Sequence, residues 1–536
     1  MRKWNGWGDT ATEFPASAEV RTFLNSLFGP AQPLPDAELV TVLARVPASR
    51  LPAHPLIDTS PEARLMHARG QSLPDWLALR SGDIGLFPDG VALPQSSAEV
   101  RLLLDWARKQ DVTVIPYGGG TSVAGHINPL PDRRPVLTLS LARLNDLIDL
   151  DPEAQLATIG AGANGPRVEA LLNARGYTLG HFPQSFELST LGGWVVTRSS
   201  GQQSFRYGRI EQLFAGGRME TFAGTLDIPT FPASSAGPDL REMVLGSEGR
   251  IGVLTEVKVR VTRLPEAEEF QVFFFPDWPR AQAAIKELAQ HKQLPLSMLR
   301  LSNTEETRTQ LVLAGHARQV GILKRYLNLR GAGDERCMMT VGLTGSPQAM
   351  SFALREVKRL TRPFGAVATG TLLGKKWVGN RFKSPYLRES LWALGYAIDT
   401  LETAVDWPRV TPAIAAIEGA LRSGLQGEGE TVLAFTHLSH LYTQGSSIYT
   451  TYAFRVGGSY EQTLERWARL KQAASEAIVR MGGTISHQHG VGRDHAPYLP
   501  AEKGPLGMAA LTALCTHFDP EHRLNPGKLL LDEEAT

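Results

Sequence analysis

Residues 181–201 of the chain read HFPQSFELSTLGGWVVTRSSG. Serine and threonine are frequent in this stretch, and its Gly192-Gly193 pair lets the backbone approach a ligand closely. Hydroxyl groups and accessible backbone N–H groups are donors that a large polar ligand can use. The residue types therefore favour the wall of a binding site over an ordinary loop, strand and loop between two sheets.

The composition is that of a globular protein with room for two or three domains, at 536 residues, 42% hydrophobic and 20% charged. The formal net charge is only +1, so no basic field indicates a nucleic-acid partner. We therefore expect a small-molecule or lipid substrate and no nucleic acid.

The two cysteines, Cys337 and Cys515, stand far apart and outside any CxxC pattern. This argues against a disulfide framework, a Cys-rich zinc site or an iron–sulfur cluster, and it fits a reducing, cytoplasmic location. No apolar run approaches the length that spans a bilayer, and the first ten residues are too polar for a signal peptide. Peripheral membrane contact and a homodimer stay open on the sequence alone.

The pattern of apolar residues and turns divides the chain into four parts. These are a helical accessory segment at 1–80, an α+β domain at 81–265, a second α+β domain at 266–480 and a C-terminal segment at 481–536. The accessory segment shows no clear strand. In the first domain, Ser96 and Glu99 form a capping box ahead of a helix. Periodicity further predicts helices at 61–68, 166–174 and 279–291, and strands at 112–115, 136–141, 156–159, 251–261 and 270–275.

A glycine-rich turn, GGGTS at 118–122, follows the predicted strand at 112–115. Three consecutive glycines permit positive φ and expose successive N–H groups to an anion. The turn predicts a pyrophosphate site, with a ligand-free turn as the alternative.

Two other glycine motifs carry less weight. Residues 160–165 match GxGxxG between a strand and a helix, but residues 174–184 contain no acid to bind a ribose. Residues 370–376, GTLLGKK, fall one residue short of a P-loop and lack its Ser or Thr. Neither motif supports a Rossmann-type or nucleoside-triphosphate site.

The motifs occur in an order that resembles a known family. Residues 243–253, MVLGSEGRIGV, add a further turn, in which Glu248 either accepts from a ribose or orders the loop. The ordered motifs resemble vanillyl-alcohol-oxidase-type (PCMH-type) FAD-binding proteins, and within them the alkyldihydroxyacetonephosphate synthase (alkylglycerone-phosphate synthase) family. They are KWNGWG at 3–8, PYGGGTS at 116–122, HFPQSFELSTLGGW at 181–194, TRSSG at 197–201, YGRIEQL at 207–213, GSEGRIGV at 246–253, HQHGVG at 487–492 and LNPGKLL at 524–530.

The resemblance implies a two-subdomain FAD-binding domain, an α+β cap domain and a C-terminal segment that returns to the flavin. It implies non-covalent FAD, and His126, the histidine nearest the glycine turn, is interpreted as a loop residue. The cofactor-binding residues that it implies are Pro116, Tyr117, Gly118, Gly119, Gly120, Thr121, Ser122, Gln184, Ser185, Phe186, Glu187, Leu188, Ser189, Thr190, Thr197, Arg198, Ser199, Ser200, Glu248, Gly249, Arg250, Ile251, Gly252, Val253 and Leu254.

That family exchanges the acyl group of an acyl-dihydroxyacetone phosphate for a fatty alcohol, in ether lipid synthesis, through an adduct at flavin N5. Such chemistry needs a group that moves a carbon-bound proton, a cation for the phosphate or the departing carboxylate, and an apolar path for chains. The resemblance assigns catalytic roles to Tyr449, Arg388, Arg300 and His181. Three of them also have an ordinary structural interpretation: Tyr449 as a sheet aromatic, Arg388 as a solvated helix charge and Arg300 as a salt bridge beneath a strand.

The chain departs from the family at His487-Gln488-His489, where the family typically has three histidines. If these residues form a strand, His487 and His489 share one face and Gln488 takes the other. An amide cannot accept a proton near neutral pH, so Gln488 would hydrogen-bond a carbonyl or carboxylate and leave His487, His489 or Tyr449 to move the proton.

This departure leaves two alternatives. The first is an FAD-dependent dehydrogenase of a D-2-hydroxy acid or related alcohol, by hydride transfer to the flavin. Some such enzymes bind a metal, but residues 436–442, THLSHLY, bring no carboxylate to accompany His437 and His440, and we expect no metal. The second is a scaffold that holds the cofactor without catalysis.

Overall fold

The computed structural model describes residues 2–291, 294–313 and 317–531. Helices and strands are mixed throughout, which confirms the predicted α+β class. Among the described residues, no helix has both the length and the apolar character to cross a bilayer.

The N-terminal segment is mostly helical, and it also contributes one short strand that the sequence did not reveal. Its elements are α1 (Ala18–Phe28), α2 (Leu39–Leu43), β1 (Ile57–Asp58), α3 (Pro61–Met66) and α4 (Leu73–Ser81). The sequence shows no clear strand here because two residues are too few to form an alternating pattern. The segment is an integral part of the fold, since Leu73, Trp76 and Leu77 of α4 are buried in the core of the second domain.

The first domain contains two main sheets. Its elements are β2 (Gly90–Ala92), α5 (Ser97–Lys109), β3 (Thr113–Tyr117), β4 (Val136–Ser140), β5 (Leu147–Asp151), β6 (Leu156–Gly160), α6 (Gly165–Asn173), β7 (Tyr177–Thr178), α7 (Leu191–Val196), α8 (Ser204–Tyr207), α9 (Ile210–Leu213), β8 (Phe214–Thr221), β9 (Gly224–Ile228), α10 (Arg241–Val244), β10 (Val253–Arg260) and β11 (Thr262–Arg263). The first sheet has the order β1-β2-β4-β3 and the second β5-β6-β10-β8-β9, while β11 and β7 form a separate pair.

The helix predicted after the capping box is α5. The Ser96 hydroxyl accepts the Glu99 backbone N–H at 3.2 Å, while the Glu99 carboxylate accepts the N–H of Gln95 instead of that of Ser96. Val100, Leu103, Leu104 and Ala107 of α5 are buried in the core of this domain.

The second domain is built on a seven-stranded sheet. Its elements are β12 (Ala267–Phe275), α11 (Trp278–Gln290), β13 (Leu296–Ser302), α12 (Thr304–Leu313), α13 (Ala317–Leu329), β14 (Cys337–Gly345), α14 (Pro347–Thr361), β15 (Val367–Gly370), α15 (Leu372–Asn380), α16 (Ser384–Trp392), β16 (Tyr396–Asp406), α17 (Trp407–Ser423), β17 (Leu433–Leu438), β18 (Gly445–Arg455) and α18 (Tyr460–Arg480). The strand order is β15-β12-β14-β13-β17-β18-β16, antiparallel between the paired neighbours.

Strand register aligns one row of side chains across this sheet. Residues that are directly opposite in neighbouring strands point to the same face. The row is therefore Glu402, Tyr449, His437, Ser302, Met338 and Phe274, one residue from each of six strands. Side chains with polar groups, from Glu402 to Ser302, occupy one end of the row, and the apolar Met338 and Phe274 occupy the other.

The chain then returns to the first domain. After the helical stretch α19 (Leu499–Phe518), which is interrupted at Gly504, the backbone of Arg523 and Asn525 hydrogen-bonds Val114 of β3 from both sides, at 2.8 and 2.9 Å. Residues 487–489 lie in a loop and not in a strand, so the predicted alternation of their side chains was wrong. The two glycines that follow, Gly490 and Gly492, both have positive φ, which an extended strand does not allow.

Candidate active site

A cleft runs between the glycine turn, the 185–199 wall, the 248–254 turn and the 488–489 loop. Its volume is about 1020 Å³ with the open mouth included. The predicted cofactor-binding residues that line it are Pro116, Tyr117, Gly118, Gly119, Gly120, Thr121, Ser122, Ser185, Ser189, Thr190, Thr197, Ser199, Glu248, Gly249, Gly252 and Leu254.

The remaining predicted cofactor-binding residues lie outside this lining. Phe186 stacks on Phe382, with ring centroids 4.7 Å apart. Arg250 is buried and donates to the Asn525 carbonyl at 3.2 Å. The full set outside the lining is Gln184, Phe186, Glu187, Leu188, Arg198, Ser200, Arg250, Ile251 and Val253.

The glycines of the turn permit a close approach to the wall. A Cβ atom at Gly118 would overlap the Thr190 hydroxyl, and one at Gly119 would overlap the Leu188 carbonyl oxygen. Gly120 has φ +67°, which glycine adopts without strain. Packing and backbone conformation therefore require glycine here, in addition to any requirement that a bound ligand imposes.

His126 and Glu248 form a buried pair that the sequence interpretation missed. His126 Nε2 lies 3.2 Å from Glu248 Oε2, and Nδ1 lies 2.5 Å from the Ser122 hydroxyl. Burial alone would lower the pKa of His126, but the Glu248 carboxylate outweighs it and raises this pKa. Glu248 also accepts the N–H groups of Val491 and Gly492, at 2.5 and 2.7 Å. Of the two roles considered for Glu248, the structure supports ordering of a loop.

Two buried acceptors at the cleft lack hydrogen-bond partners among the described residues. They are Gln488 Oε1 and Asn525 Oδ1, and both residues line the cleft. An unsatisfied buried acceptor costs about 1–3 kcal/mol, so a ligand with N–H or O–H donors fits here. Together with the glycine turn, these groups suit a dinucleotide such as FAD.

Three aromatic side chains connect the seven-stranded sheet of the second domain, here called the cap sheet, with the cleft. The rings of His437 and Tyr449 stack with centroids 4.8 Å apart, and Tyr449 meets His489 edge-on at 5.8 Å. His489 lines the cleft. Burial raises the pKa of Tyr449, so its hydroxyl stays protonated near neutral pH.

Glu402, which the sequence analysis did not single out, holds the 487–489 loop. Its Oε1 accepts the backbone N–H groups of Gln488 and His489, both at 2.6 Å, and it lies 3.5 Å from His489 Nδ1. Burial lowers the pKa of His489, so its ring is neutral near pH 7. We assign the ring proton to Nδ1, toward the carboxylate, which leaves Nε2 as a proton acceptor.

Arg300 belongs to a buried cluster with Glu306 and His437. Its Nη2 donates to Glu306 Oε1 at 2.7 Å, and His437 Nδ1 lies 3.0 Å from the same oxygen. Burial alone would raise the pKa of Glu306, but His437 and Arg300 lower it to about 2. Burial and Arg300 together lower the pKa of His437. A guanidinium is thus fixed on the sheet face that carries Tyr449.

Arg388 and His181 lie outside the cleft lining. Arg388 donates to the Gln71 carbonyl at 2.6 Å and to Asp399 at 3.1 Å, so it is a buried ion pair and not a solvated helix charge. His181 is fully buried and lies 3.2 Å from the Ser199 hydroxyl, which lines the cleft, while burial lowers the pKa of His181 to about 3. The Ser199 contact places His181 one layer behind the cleft, whereas neither partner of Arg388 lines it.

His487 faces away from the cleft. Its Nε2 lies 2.6 Å from both Arg209 Nη1 and the Tyr442 hydroxyl, and these three residues line a second pocket. His440 is bonded instead to Ser200 and Ser204, at 3.1 and 3.0 Å. Among the described residues, no three His, Cys, Asp or Glu side chains are grouped to hold a metal ion.

Comparison with known proteins places these features in a family. The model of an FAD binding domain matches residues 88–226, and that of the C-terminal domain of FAD linked oxidases matches residues 264–529. Alkyldihydroxyacetonephosphate synthase of Dictyostelium discoideum is 31% identical over 475 residues, 87% of this chain and 77% of that protein. The Trypanosoma brucei brucei enzyme of the same name is 28% identical over 98% of this chain and 92% of its own length. A solved alkyldihydroxyacetonephosphate synthase structure superposes with a TM-score of 0.83 at 27% identity, covering 98% of both chains.

Proposed function

The chain belongs to the alkyldihydroxyacetonephosphate synthase family of FAD-dependent enzymes, and we propose that it exchanges the acyl group of an acyl-dihydroxyacetone phosphate for a fatty alcohol. The observation that carries the proposal is the series His437, Tyr449 and His489, which extends from the cap sheet to the cleft beside a fixed guanidinium. FAD is the cofactor, and when bound it would supply an electron-accepting ring for the reaction at the substrate carbon.

His489 is the residue best placed to accept a carbon-bound proton. Its ring is neutral, the Glu402 carboxylate lies 3.5 Å from its Nδ1, and the residue lines the cleft. In other catalytic dyads, too, a carboxylate orients the side chain that acts as the base. The ring of Tyr449 is edge-on to that of His489 and its hydroxyl stays protonated, so we assign this hydroxyl as the donor for the leaving group.

Arg300 supplies the cation. The Arg300 side chain keeps 18% of its surface exposed, whereas its partner Glu306 is almost fully buried. The guanidinium can therefore donate further hydrogen bonds to an oxyanion while Glu306 holds it in place. We assign it to the substrate phosphate or to the departing carboxylate.

The test is a product analysis with ¹⁸O-labelled fatty alcohol and purified holoenzyme, without an electron acceptor. In the proposed exchange the substrate carbon loses its acyloxy group as a fatty acid and forms a new bond to the alcohol oxygen. The ether product should therefore carry ¹⁸O and the released fatty acid should carry none. An ester of the labelled alcohol, or no ether product, would contradict the proposal.

Gln488 favours a second candidate, oxidation of a D-2-hydroxy acid. Gln488 lines the cleft, its buried side-chain oxygen has no partner among the described residues, and an amide does not act as a base near neutral pH. Gln488→His separates the candidates. In a synthase with a changed residue it should raise ether formation, whereas in a dehydrogenase it should leave ether formation undetectable and lower hydroxy-acid oxidation.

A further inference from the structure

Arg2 reaches the glycine turn from outside the FAD binding domain, whose model matches residues 88–226. Its Nη2 donates to the Gly119 carbonyl at 2.9 Å, although the two residues are 117 positions apart. A Cβ atom at Gly120 would lie only 2.8 Å from the same nitrogen. The guanidinium therefore sits directly on the turn, at the peptide group that joins these two glycines.

The turn offers hydrogen-bond donors that the protein itself does not use. Among the described residues, no backbone carbonyl accepts the N–H groups of Gly119 and Gly120, and both glycines line the cleft. Successive free N–H groups in a turn form a concavity that binds an anion. The turn therefore fits an anion such as the pyrophosphate of FAD.

The cleft has little positive charge of its own. No lysine or arginine is found among the described residues that line it, and the charge of His126 is matched by the Glu248 carboxylate. A buried anion without a compensating cation is costly. Arg2 is half-buried, and it forms no ion pair with a carboxylate in the part of the chain that the structure describes. Its charge is therefore available to an anion on the turn.

The contact at the Gly119 carbonyl also acts through the peptide group. This carbonyl and the N–H of Gly120 belong to the same amide. A cation on the oxygen polarises the amide and makes its N–H a stronger donor, as in other hydrogen-bond chains. A hydrogen bond from a guanidinium is charge-assisted and roughly twice as strong as a neutral one. Arg2 thus strengthens a donor that the turn offers to an anion.

A closed loop, residues 2–9, holds Arg2 in this position. Arg2 and Asp9 pair in an antiparallel bridge, and the Lys3 N–H donates to the Gly8 carbonyl at 3.0 Å. The Lys3 ammonium forms an ion pair with Glu389 of α16 in the second domain. The loop is therefore anchored on one domain while its arginine contacts the cofactor turn of the other.

We propose that Arg2 is an additional FAD-binding residue, which stabilises the pyrophosphate on the glycine turn by its charge. The 2–9 loop then makes FAD retention depend on a contact between the two domains. The inference concerns the cofactor, and it holds whichever reaction the enzyme catalyses.

The test is the rate at which FAD leaves the purified holoenzyme after dilution, followed by the rise in flavin fluorescence. Arg2→Gln should raise this rate about tenfold, the effect of losing one charge-assisted hydrogen bond. Arg2→Lys keeps the charge and should restore most of the slow release. Release from Arg2→Gln at the parent rate would overturn the proposal.

Salt separates an effect of charge from an effect of packing. Raising the ionic strength from about 0.1 M to about 1 M shortens the screening length from about 10 Å to about 3 Å. This change should accelerate FAD release from the parent protein more than from Arg2→Gln. An equal salt dependence in the two proteins, or release from Arg2→Lys as fast as from Arg2→Gln, would show that the side chain only packs against the turn and would overturn the proposal.

Two further variants serve as controls. Arg21→Gln, at an exposed arginine of α1, should not change the release rate. Lys3→Gln removes the ion pair with Glu389 and should have a smaller effect than Arg2→Gln, because the backbone contacts still close the 2–9 loop. An effect of Lys3→Gln as large as that of Arg2→Gln would assign FAD retention to the loop as a whole and would overturn the role of Arg2. Since FAD release is measured without substrate, a failure to form the ether would contradict the proposed function alone.

Discussion

The carboxylate of Glu402 accepts the backbone N–H of Gln488 at 2.6 Å, and so joins the cap sheet to the loop that completes the cleft. The same oxygen accepts the N–H of His489. Since Glu402 is directly opposite Tyr449 in the sheet, one side chain sets the distance between Tyr449 and the loop. Catalytic geometry in this protein therefore depends on a carboxylate that need not touch the substrate.

Glu402→Ala should lower ether formation about 100-fold while FAD stays bound, because a loop displaced by about 1 Å loses the productive geometry. It should also destabilise the fold by about 2 kcal/mol or more, since two backbone donors lose their acceptor. Turnover and flavin absorbance measure the two effects. The matched control is Glu502→Ala, which removes a carboxylate that accepts the N–H of Ile485 outside the cleft. Equal losses of turnover in both variants would show that Glu402 has no specific role in catalysis.

Tyr449→Phe should lower turnover by about 100-fold or more, the usual contribution of a general acid, and leave the flavin spectrum unchanged. Tyr460→Phe is the control, because its hydroxyl donates to the Pro35 carbonyl and the residue does not line the cleft. Normal turnover in Tyr449→Phe would exclude this hydroxyl from the proton transfer.

Gly119→Ala should abolish FAD retention, because the new Cβ atom would overlap the Leu188 carbonyl oxygen and push the turn away from the wall. The flavin-to-protein absorbance ratio after gel filtration measures this loss. Gly419→Ala on α17 should keep its FAD, since the added Cβ atom would have no neighbouring atom within 4 Å among the described residues. Full FAD content in Gly119→Ala would show that the turn does not need this close contact.

The sequence predicted the glycine turn and the strand and helix around it because their signals are local, as in the three glycines of 118–120 and the Ser96 cap of α5. It missed the pairs His126–Glu248 and Arg209–His487, whose members are separated by 122 and 278 positions, since no local pattern reports which distant charges meet. It also predicted a strand at 487–489. These residues form a loop instead, because Gly490 and Gly492 adopt positive φ and because Glu402 accepts two backbone N–H groups of the loop.

Stability should fall in acid through Glu306. Its pKa drops from an ordinary 4.5 to about 2 in the folded protein, so the unfolded chain binds a proton first as the pH falls. The stabilisation is complete above pH 4.5 and is lost on acidification toward pH 2, at about 3 kcal/mol in total. Chemical denaturation across this range should show a shallower pH dependence in Glu306→Gln than in the parent protein or in Glu465→Gln, an exposed control. An unchanged slope in Glu306→Gln would contradict the ion pair.

The most direct test of the account is an anaerobic absorbance spectrum of the purified holoenzyme with acyl-dihydroxyacetone phosphate, followed by a fatty alcohol, and separately with D-2-hydroxy acids. The account predicts that the acyl substrate bleaches the flavin band and that the alcohol restores it with release of an alkyl ether, without any electron acceptor. Bleaching by a hydroxy acid alone, reversed only by an added acceptor with formation of a keto acid, would contradict it and establish a dehydrogenase.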